Sequence, residues 1–425
     1  MIRFEATPAT KGIASMDELS LFTLALGVSK PWKVVDLKFS KEEGRLDLRL
    51  DFAKDAKFPC PSCPETKEAD VHDTKDRMWR HLNFFQYETY LHARVPRIRC
   101  GTCGVKQVDV PWARSGSGFT LLFELLILSL SREMSVAAVS ELTSEHANRL
   151  WRILKHYVER ARRAVDLSGF HQLGIDEFAI RKGHVYMTSF GDLETSRVIF
   201  LGEGRKKGVV KAFLVSRGID PDQIDVVCCD MWDPCLNGIG KFLKKAMVVF
   251  DRFHVMNQIN TAIELVHREE QRNNEALRKS RFLWLKNPKN LTSQQEARLA
   301  ALKRLDLRTA RAYQIKLALA RFWEIADPAE AMSYLKRWYF WTTHSWLLPV
   351  IQAARTIKRY WQGVINFLDA RVTNGMVEGL NSKIKTAMKR AYGFKQVGYL
   401  RTIIYLVAGR LTFSYPHYME ENYNY

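Results

Sequence analysis

Leu173-Gly-Ile-Asp176, Ile224-Asp-Val-Val-Cys-Cys-Asp230 and Ala246-Met-Val-Val-Phe-Asp251 are three short apolar runs, each closed by an aspartate. Runs of this length between turn residues read as buried strands rather than helices. Between the first and second lie two more, His184 to Phe190 and Arg197 to Leu201, with a turn at Gly191-Asp192 and then a helical stretch near 208–217. Three consecutive strands joined by tight turns, followed by helix-linked strands, predict a mixed α/β sheet. Asp176 and Asp230 then stand at strand carboxyl ends, the edge where open α/β sheets bind ligands. Two carboxylates there can hold divalent metal ions against a phosphate, and a third closes a two-metal site.

The third carboxylate comes from Thr373-Asn-Gly-Met-Val-Glu378-Gly-Leu-Asn381-Ser-Lys-Ile-Lys385-Thr-Ala-Met-Lys389-Arg390-Ala-Tyr-Gly393. At about 100° per residue, positions 374, 378, 381 and 385 fall within roughly 60° of one another on a helix. That face carries Asn374, Glu378, Asn381 and Lys385, and its neighbour carries Val377, Leu380, Ile384 and Ala391 for packing. A carboxylate among amides and lysines suits a metal beside a polyanionic backbone. Gly379 costs a helix about 1 kcal/mol relative to Ala, which points to close approach by another group. Alone, this segment reads better as a solvated amphipathic helix with Glu378 and Lys385 as ordinary surface charges. The two strand-end aspartates tip the balance toward a site. Asp251 and His254, at the next strand end, are candidates for support or strand positioning, with a simple core or capping role as the alternative.

Upstream, Cys60-Pro-Ser-Cys63 and Cys100-Gly-Thr-Cys103 are two knuckles. Two residues between thiols let a tight turn aim both sulfurs at one ion, and two knuckles complete a tetrahedral Zn²⁺ site. The long interval 64–99 predicts a β excursion through Tyr87 to Ile98, and its His72, His81 and His92 are possible replacement ligands. Cys228, Cys229 and Cys235 lack ligand spacing and read as small core residues. Trp32 to Phe39 and Arg45 to Phe52 form an expected hairpin turning near Glu43-Gly44. Ala113-Arg-Ser-Gly-Ser-Gly118 reads as a flexible linker.

Helical periodicity follows: Thr120 to Arg132, Ser135 to Leu142, and Glu145 to about Ala164. The third helix packs Ala147, Leu150, Leu154, Tyr157 and Ala161, and presents Asn148, Arg149, Arg152 and Lys155. A short helix, a tight turn and a longer helix with a basic outer face read as a helix-turn-helix entering a DNA major groove. From about His254 to Asp369 the chain reads as helical and rich in Lys, Arg and Trp. Most of those tryptophans are expected in a core, with a few available to stack on bases.

The whole chain has 425 residues and a formal net charge of +19, with 47% hydrophobic residues. Such a chain can bury sizeable cores, and its charge selects a polyanionic partner. The longest apolar stretch, Phe119 to Leu130, is too short for a membrane span and carries Glu124. The first residues lack a signal-peptide pattern, so a cytoplasmic location and no membrane partner are expected.

Taken together, these residues resemble the DDE transposases, and more narrowly the bacterial insertion-sequence family ISL3. The resemblance rests on Gly174-Ile-Asp176-Glu177-Phe178, Gly183-His184-Val-Tyr186, Glu203-Gly-Arg205, Asp230-Met-Trp, Asp251-Arg-Phe-His254 and the segment from Asn374 to Gly393. It runs in order from Cys60 to about Arg410, leaves residues 1–55 uncovered, and is departed from at Asp233 and Cys235. It implies a multidomain α+β protein with a β-rich zinc-binding domain over 1–112 and a helix-turn-helix over 113–168. An RNase H-like α/β core over 169–255 and 370–425 would then be interrupted by an all-α insertion over 256–369. It further implies that Asp176, Asp230 and Glu378 bind two Mg²⁺ (or Mn²⁺) for DNA cleavage and strand transfer. Cys60, Cys63, Cys100 and Cys103 would hold one structural zinc. Asn381, Lys385, Lys389 and Arg390 would join the helix-turn-helix residues in contacting DNA. The implied partners are double-stranded terminal inverted repeats and target DNA, bound by a homodimer or larger assembly. Two other readings remain open on sequence: a catalytically silent DNA-binding regulator, and a zinc-ribbon nuclease without strand transfer.

Overall fold

The computed structural model describes residues 17–63, 68–181, 185–370, 372, 375–391 and 393–413, with side chains left out at 181 and 375–378. The described residues divide into two compact units, one up to Ala161 (joined by Thr412 and Phe413) and one from Arg162 to Leu411. No described helix is long and apolar enough to cross a membrane.

The first unit opens with α1 (Glu18–Ala25), capped by Asp17, and continues into a β-sheet. Strands β1 (Trp32–Ser40) and β2 (Arg45–Phe52) form the expected hairpin, with Gly44 at φ +62° in its turn. Strands β3 (Val71–Arg80) and β4 (Glu88–Cys100) fill the long interval between the knuckles, and β5 (Gly104–Gln107) pairs with the end of β4. The order is β1-β2-β4-β3, with β2 and β4 parallel. Alternation decides the faces. Leu46, Leu48, Leu50, Leu91, Ala93 and Val95 point into a core closed by Trp32, Trp79 and Trp112, whose rings meet edge to face.

Three helices follow: α2 (Leu121–Glu133), α3 (Val136–Thr143) and α4 (Ala147–Ala164). Thr120 and Ser135 cap the first two, accepting from the backbone N–H of Phe123 and Ala138. Ser144, in the left-handed region at φ +54°, makes the tight turn before α4. The expected flexible linker at 113–118 is instead fastened down. Glu124 on α2 is fully buried and accepts from Arg114 Nε (2.9 and 3.0 Å), Ser117 Oγ (2.6 Å) and Tyr157 OH (2.8 Å). Glycine and serine made this segment look mobile, but a buried carboxylate must be satisfied, and the segment supplies two of its donors. Arg80, also buried, donates to the carbonyls of His81 and Thr89 and to Asn83, and lies 4.0 Å from Glu145 in the α3–α4 turn. The zinc-binding and helix-turn-helix segments therefore share one compact unit. Glu124→Ala strands the Arg114 charge and is expected to lower the stability of this unit by about 3 kcal/mol, measured by urea unfolding.

The second unit contains β6 (Gln172–Arg181), β7 (Val185–Asp192), β8 (Arg197–Glu203), α5 (Gly208–Arg217), β9 (Val226–Cys229), α6 (Asp233–Phe242), β10 (Met247–Phe250) and α7 (Arg252–Gln271). The order is β10-β9-β6-β7-β8: an antiparallel meander β6-β7-β8 extended by two parallel strands. The predicted turn at Gly191-Asp192 lies later, at 193–196, because Asp192 serves it from the strand end. Its carboxylate accepts from the N–H groups of Glu194 and Thr195 and from Arg197. Helices cover both faces. Phe190 stacks on Phe213 of α5, 4.6 Å between centroids, while its neighbour Gly191 faces Leu380.

The insertion is helical as expected: α8 (Arg281–Leu285), α9 (Ser293–Lys303), α10 (Arg308–Phe322), α11 (Pro328–Thr343), α12 (Leu348–Arg359), α13 (Trp361–Ile365) and α14 (Phe367–Ala370). Trp284, Trp323 and Trp338 are buried in a core continuous with that of the sheet, whereas Trp341 and Trp346 are exposed. Asp233, the departure noted in the sequence, accepts from Arg359 and Tyr360 at 2.7 Å each and so fastens the insertion to α6. Cys235 is buried with Cys229. The chain returns to the sheet as α15 (Gly375–Arg390) and α16 (Val397–Ala408).

Candidate active site and zinc centre

Strand register brings the aspartates level. Gly174 pairs with Cys228, so two residues further along each parallel strand Asp176 stands beside Asp230. Phe250 pairs with Cys229, which sets Asp251 beside Asp230 on the other side. Asp230 and Asp251 follow the last residues of β9 and β10. Asp176, expected at a strand end, lies inside β6 instead. That strand outruns β9 and continues to Arg181 with β7 as its partner, so Asp176 is still at the edge of the parallel part.

Pleating aims the side chains. Ile175 and Cys229 belong to the core beneath α5 and α6, so Asp176 and Cys228 face the opposite side, where Cys228 packs with Leu193 and Val372. That side is covered by α15. A Cβ on Gly191 would sit 3.1 Å from Leu380, and Leu380, Ile384 and Ala387 are buried along the helix. Asn381, one turn from Glu378, donates its amide to Asp176 Oδ2. The side chain of Glu378, and Asn374 and His184 altogether, lie outside the described residues. Lys385, Lys389 and Arg390 continue down α15 as exposed side chains.

The carboxylates crowd one another. Asp176 Oδ1 and Asp230 Oδ1 each accept from the next backbone N–H, at 2.7 and 2.6 Å. Burial holds the Asp176 carboxyl above its ordinary range, against the pull of the Glu177 N–H, His254 and Asn381. Glu177 is pushed up to about 7 by burial and by the charges of Asp176 and Asp230, with Arg205 drawing it back down. His254 spans two aspartates, Nδ1 at 3.2 Å from Asp230 and Nε2 at 3.9 Å from Asp251. Asp251 also caps α7 by accepting from Phe253 N–H at 2.6 Å, so its capping and supporting roles coexist. Groups whose charge is this costly to keep in a cleft are what a divalent cation neutralises. Glu177 and Arg205 come to the carboxylates only because separate strands converge there, which no local sequence pattern encodes.

In the first unit, the Sγ atoms of Cys60, Cys63, Cys100 and Cys103 all lie within 4.8 Å of one another, with Cys63–Cys100 at 3.3 Å and Cys63–Cys103 at 3.4 Å. Tetrahedral thiolates at about 2.3 Å from zinc stand near these separations. None of the three candidate histidines joins the cluster. His81 is buried against Thr120 Oγ1, with burial and Arg80 holding its pKa down to about 4, and His92 bonds Asp47.

On α4, Asn148, Arg152 and Lys155 are exposed, and Leu150, Ile153, Leu154, Val158 and Ala161 are buried. Arg149 is committed elsewhere: it pairs with the buried Glu145 at 2.5 Å and lies 4.2 Å over the Phe119 ring. The i,i+4 spacing of Glu145 and Arg149 was the available signal for that pair.

Comparison with known proteins agrees along the chain. Residues 56–103 match the zinc-finger of transposase IS204/IS1001/IS1096/IS1165, and residues 108–158 match the helix-turn-helix domain of transposase family ISL3. Residues 173–404 match the family's DDE transposase domain. The transposase for insertion sequence element IS1557 of Mycobacterium tuberculosis is 26% identical over 418 residues, covering 89% of this chain and 93% of that protein. The transposase for insertion sequence element IS1001 of Bordetella parapertussis is 27% identical over 339 residues, covering 77% and 84%. The chain therefore belongs to the ISL3 family of DDE transposases, in which an N-terminal zinc finger and a DNA-binding helix-turn-helix precede a catalytic core.

Proposed function

We infer that this chain is an active transposase, which cuts DNA at the terminal inverted repeats of its element and joins the freed end to target DNA. The observation that carries the reading is the hydrogen bond from Asn381 to Asp176. It brings the helix that contains Glu378 to the strand that contains Asp176, whose register neighbour is Asp230. The strand order supports an RNase H-like core for this part of the chain. Mg²⁺ or Mn²⁺ bound by Asp176, Asp230 and Glu378 would supply an activated water and charge stabilisation at the leaving oxygen. The chain's own residues do the rest. Asn381 orients the Asp176 carboxylate, and His254 holds Asp230 in place from α7. Lys385, Lys389 and Arg390 lie on one helix as backbone-phosphate contacts, and Asn148, Arg152 and Lys155 are the groove-facing residues of α4. Cys60, Cys63, Cys100 and Cys103 take a structural zinc, and two protomers hold the two ends. The reading is tested with duplex carrying one terminal repeat. Cleavage leaving a 3′-hydroxyl is expected with Mg²⁺ and none when Mg²⁺ is omitted, while binding persists in both. Binding without cleavage under either condition would identify a silent regulator instead.

A further inference from the structure

Arg205 lies in the loop between β8 and α5, on the edge of the sheet that also carries Asp176 and Asp230. Its guanidinium carbon is 4.2 Å from the centroid of the Tyr186 ring and 4.6 Å from that of Trp232. Tyr186 belongs to the first turn-side residues of β7, and Trp232 follows Asp230 by two positions, so this cluster draws on three separate connections. Trp232 packs against the core of the unit, which makes that wall rigid. A guanidinium is planar and directs its five N–H donors outward in its own plane, so a ring lying over one of its faces leaves that edge available.

Three other stacked arginines of this chain spend that edge on the protein. Arg45 lies over Tyr90 and binds Asp47, Arg149 lies over Phe119 and binds Glu145, and Arg359 lies over Tyr360 and binds Asp233. Arg205 makes no hydrogen bond or ion pair to any described residue, and it is half-exposed. It is nonetheless close enough to the carboxylates to draw the Glu177 carboxyl down. An arginine with aromatic rings over it, beside a negative cluster and with no described residue on its fork, is preorganised for an outside anion of planar, bidentate geometry.

We propose that Arg205, lying over the Tyr186 and Trp232 rings, is a binding subsite for one backbone phosphodiester of the DNA strand entering the carboxylate edge. This rests on the transposase reading above and adds to it a phosphate contact away from α15, which covers the opposite face of the sheet. The test uses the full chain as wild type, Arg205→Ala and Arg205→Lys. The DNA is terminal-repeat duplex in which single phosphates around the cleavage position are replaced, one at a time, by neutral methylphosphonates. Binding is read in Ca²⁺, and Mg²⁺-dependent cleavage is read separately. Wild type is expected to lose about tenfold in affinity at one phosphate, the scale of a charge-assisted contact. Arg205→Ala should bind all duplexes with that one sensitivity gone and the others kept. Arg205→Lys should recover only part of it, since an ammonium has charge but no fork. Identical sensitivity profiles for wild type and Arg205→Ala overturn the subsite alone, with wild-type cleavage in Mg²⁺ still intact. Wild-type protein that is insensitive at every phosphate and does not cleave overturns the subsite and the transposase reading together.

Discussion

Asp176→Ala, Asp230→Ala and Glu378→Ala are each expected to lower Mg²⁺-dependent cleavage of terminal-repeat DNA by at least about a thousandfold, with binding of the duplex retained. The size follows from what each carboxylate does. Asp176 and Asp230 are level on adjacent parallel strands, so either change removes half of the strand-borne ligand set. Asp176 is also mostly buried, with its charge held at a cost that bound cations would offset. Asn381→Ala makes a graded companion. It leaves all three carboxylates and removes only the amide that orients Asp176, so a loss of about tenfold to a hundredfold is expected, as for other groups that orient metal ligands. Raised Mg²⁺ should recover part of the Asn381→Ala loss and none of the Asp176→Ala loss. A wild-type cleavage rate in any of the three carboxylate variants would remove that residue from the catalytic set.

Combined Cys60→Ser and Cys100→Ser substitution is expected to reduce bound zinc from one per chain to none and to unfold the first unit. One thiol is lost from each knuckle, so neither half of the site survives. Structural zinc contributes on the order of 10 kcal/mol to the folding of small domains, more than most domains have in reserve. The effect should reach DNA binding, because the same unit contains the helix-turn-helix, fastened through Arg114, Ser117 and Tyr157 to Glu124. Terminal-repeat binding should therefore fall by at least about a hundredfold, as expected when the recognition helix loses its support. Metal analysis showing unchanged zinc would remove the four cysteines as its ligands. Lost zinc with unchanged melting and DNA binding would make the site dispensable to the fold.

Most of this architecture was legible where one physical signal dominates a segment. Apolar runs ending in aspartate gave three parallel strands, because strands buried on both faces need near-continuous apolar residues. Paired knuckles gave the thiol cluster, and helical spacing gave the packed face of α4. Signals that depend on partners distant in sequence were invisible. Residues 113–118 have the composition of a linker, and only the buried Glu124 reveals why they are ordered. Asp176 looks like the end of a strand because Glu177 breaks the apolar run, yet β7 carries the pairing on to Arg181. Arg149 and Arg152 are equivalent as basic residues on a helix, but a buried Glu145 commits the first and leaves the second exposed. Arg205 reads as one cation among many until Tyr186 and Trp232 close on it from two other connections of the sheet.

A strand-transfer assay tests whether the carboxylate edge both cuts and joins DNA. The direct assay incubates the full-length protein with Mg²⁺, labelled duplex made from any inverted repeat found in the DNA beside its gene, and unlabelled circular target DNA. The expected result is a nick leaving a 3′-hydroxyl at the repeat terminus, followed by covalent transfer of label to the circle, with both products absent for Asp176→Ala. Label that is cut from the repeat but never joined to the circle, or no metal-dependent cutting at all, would contradict it.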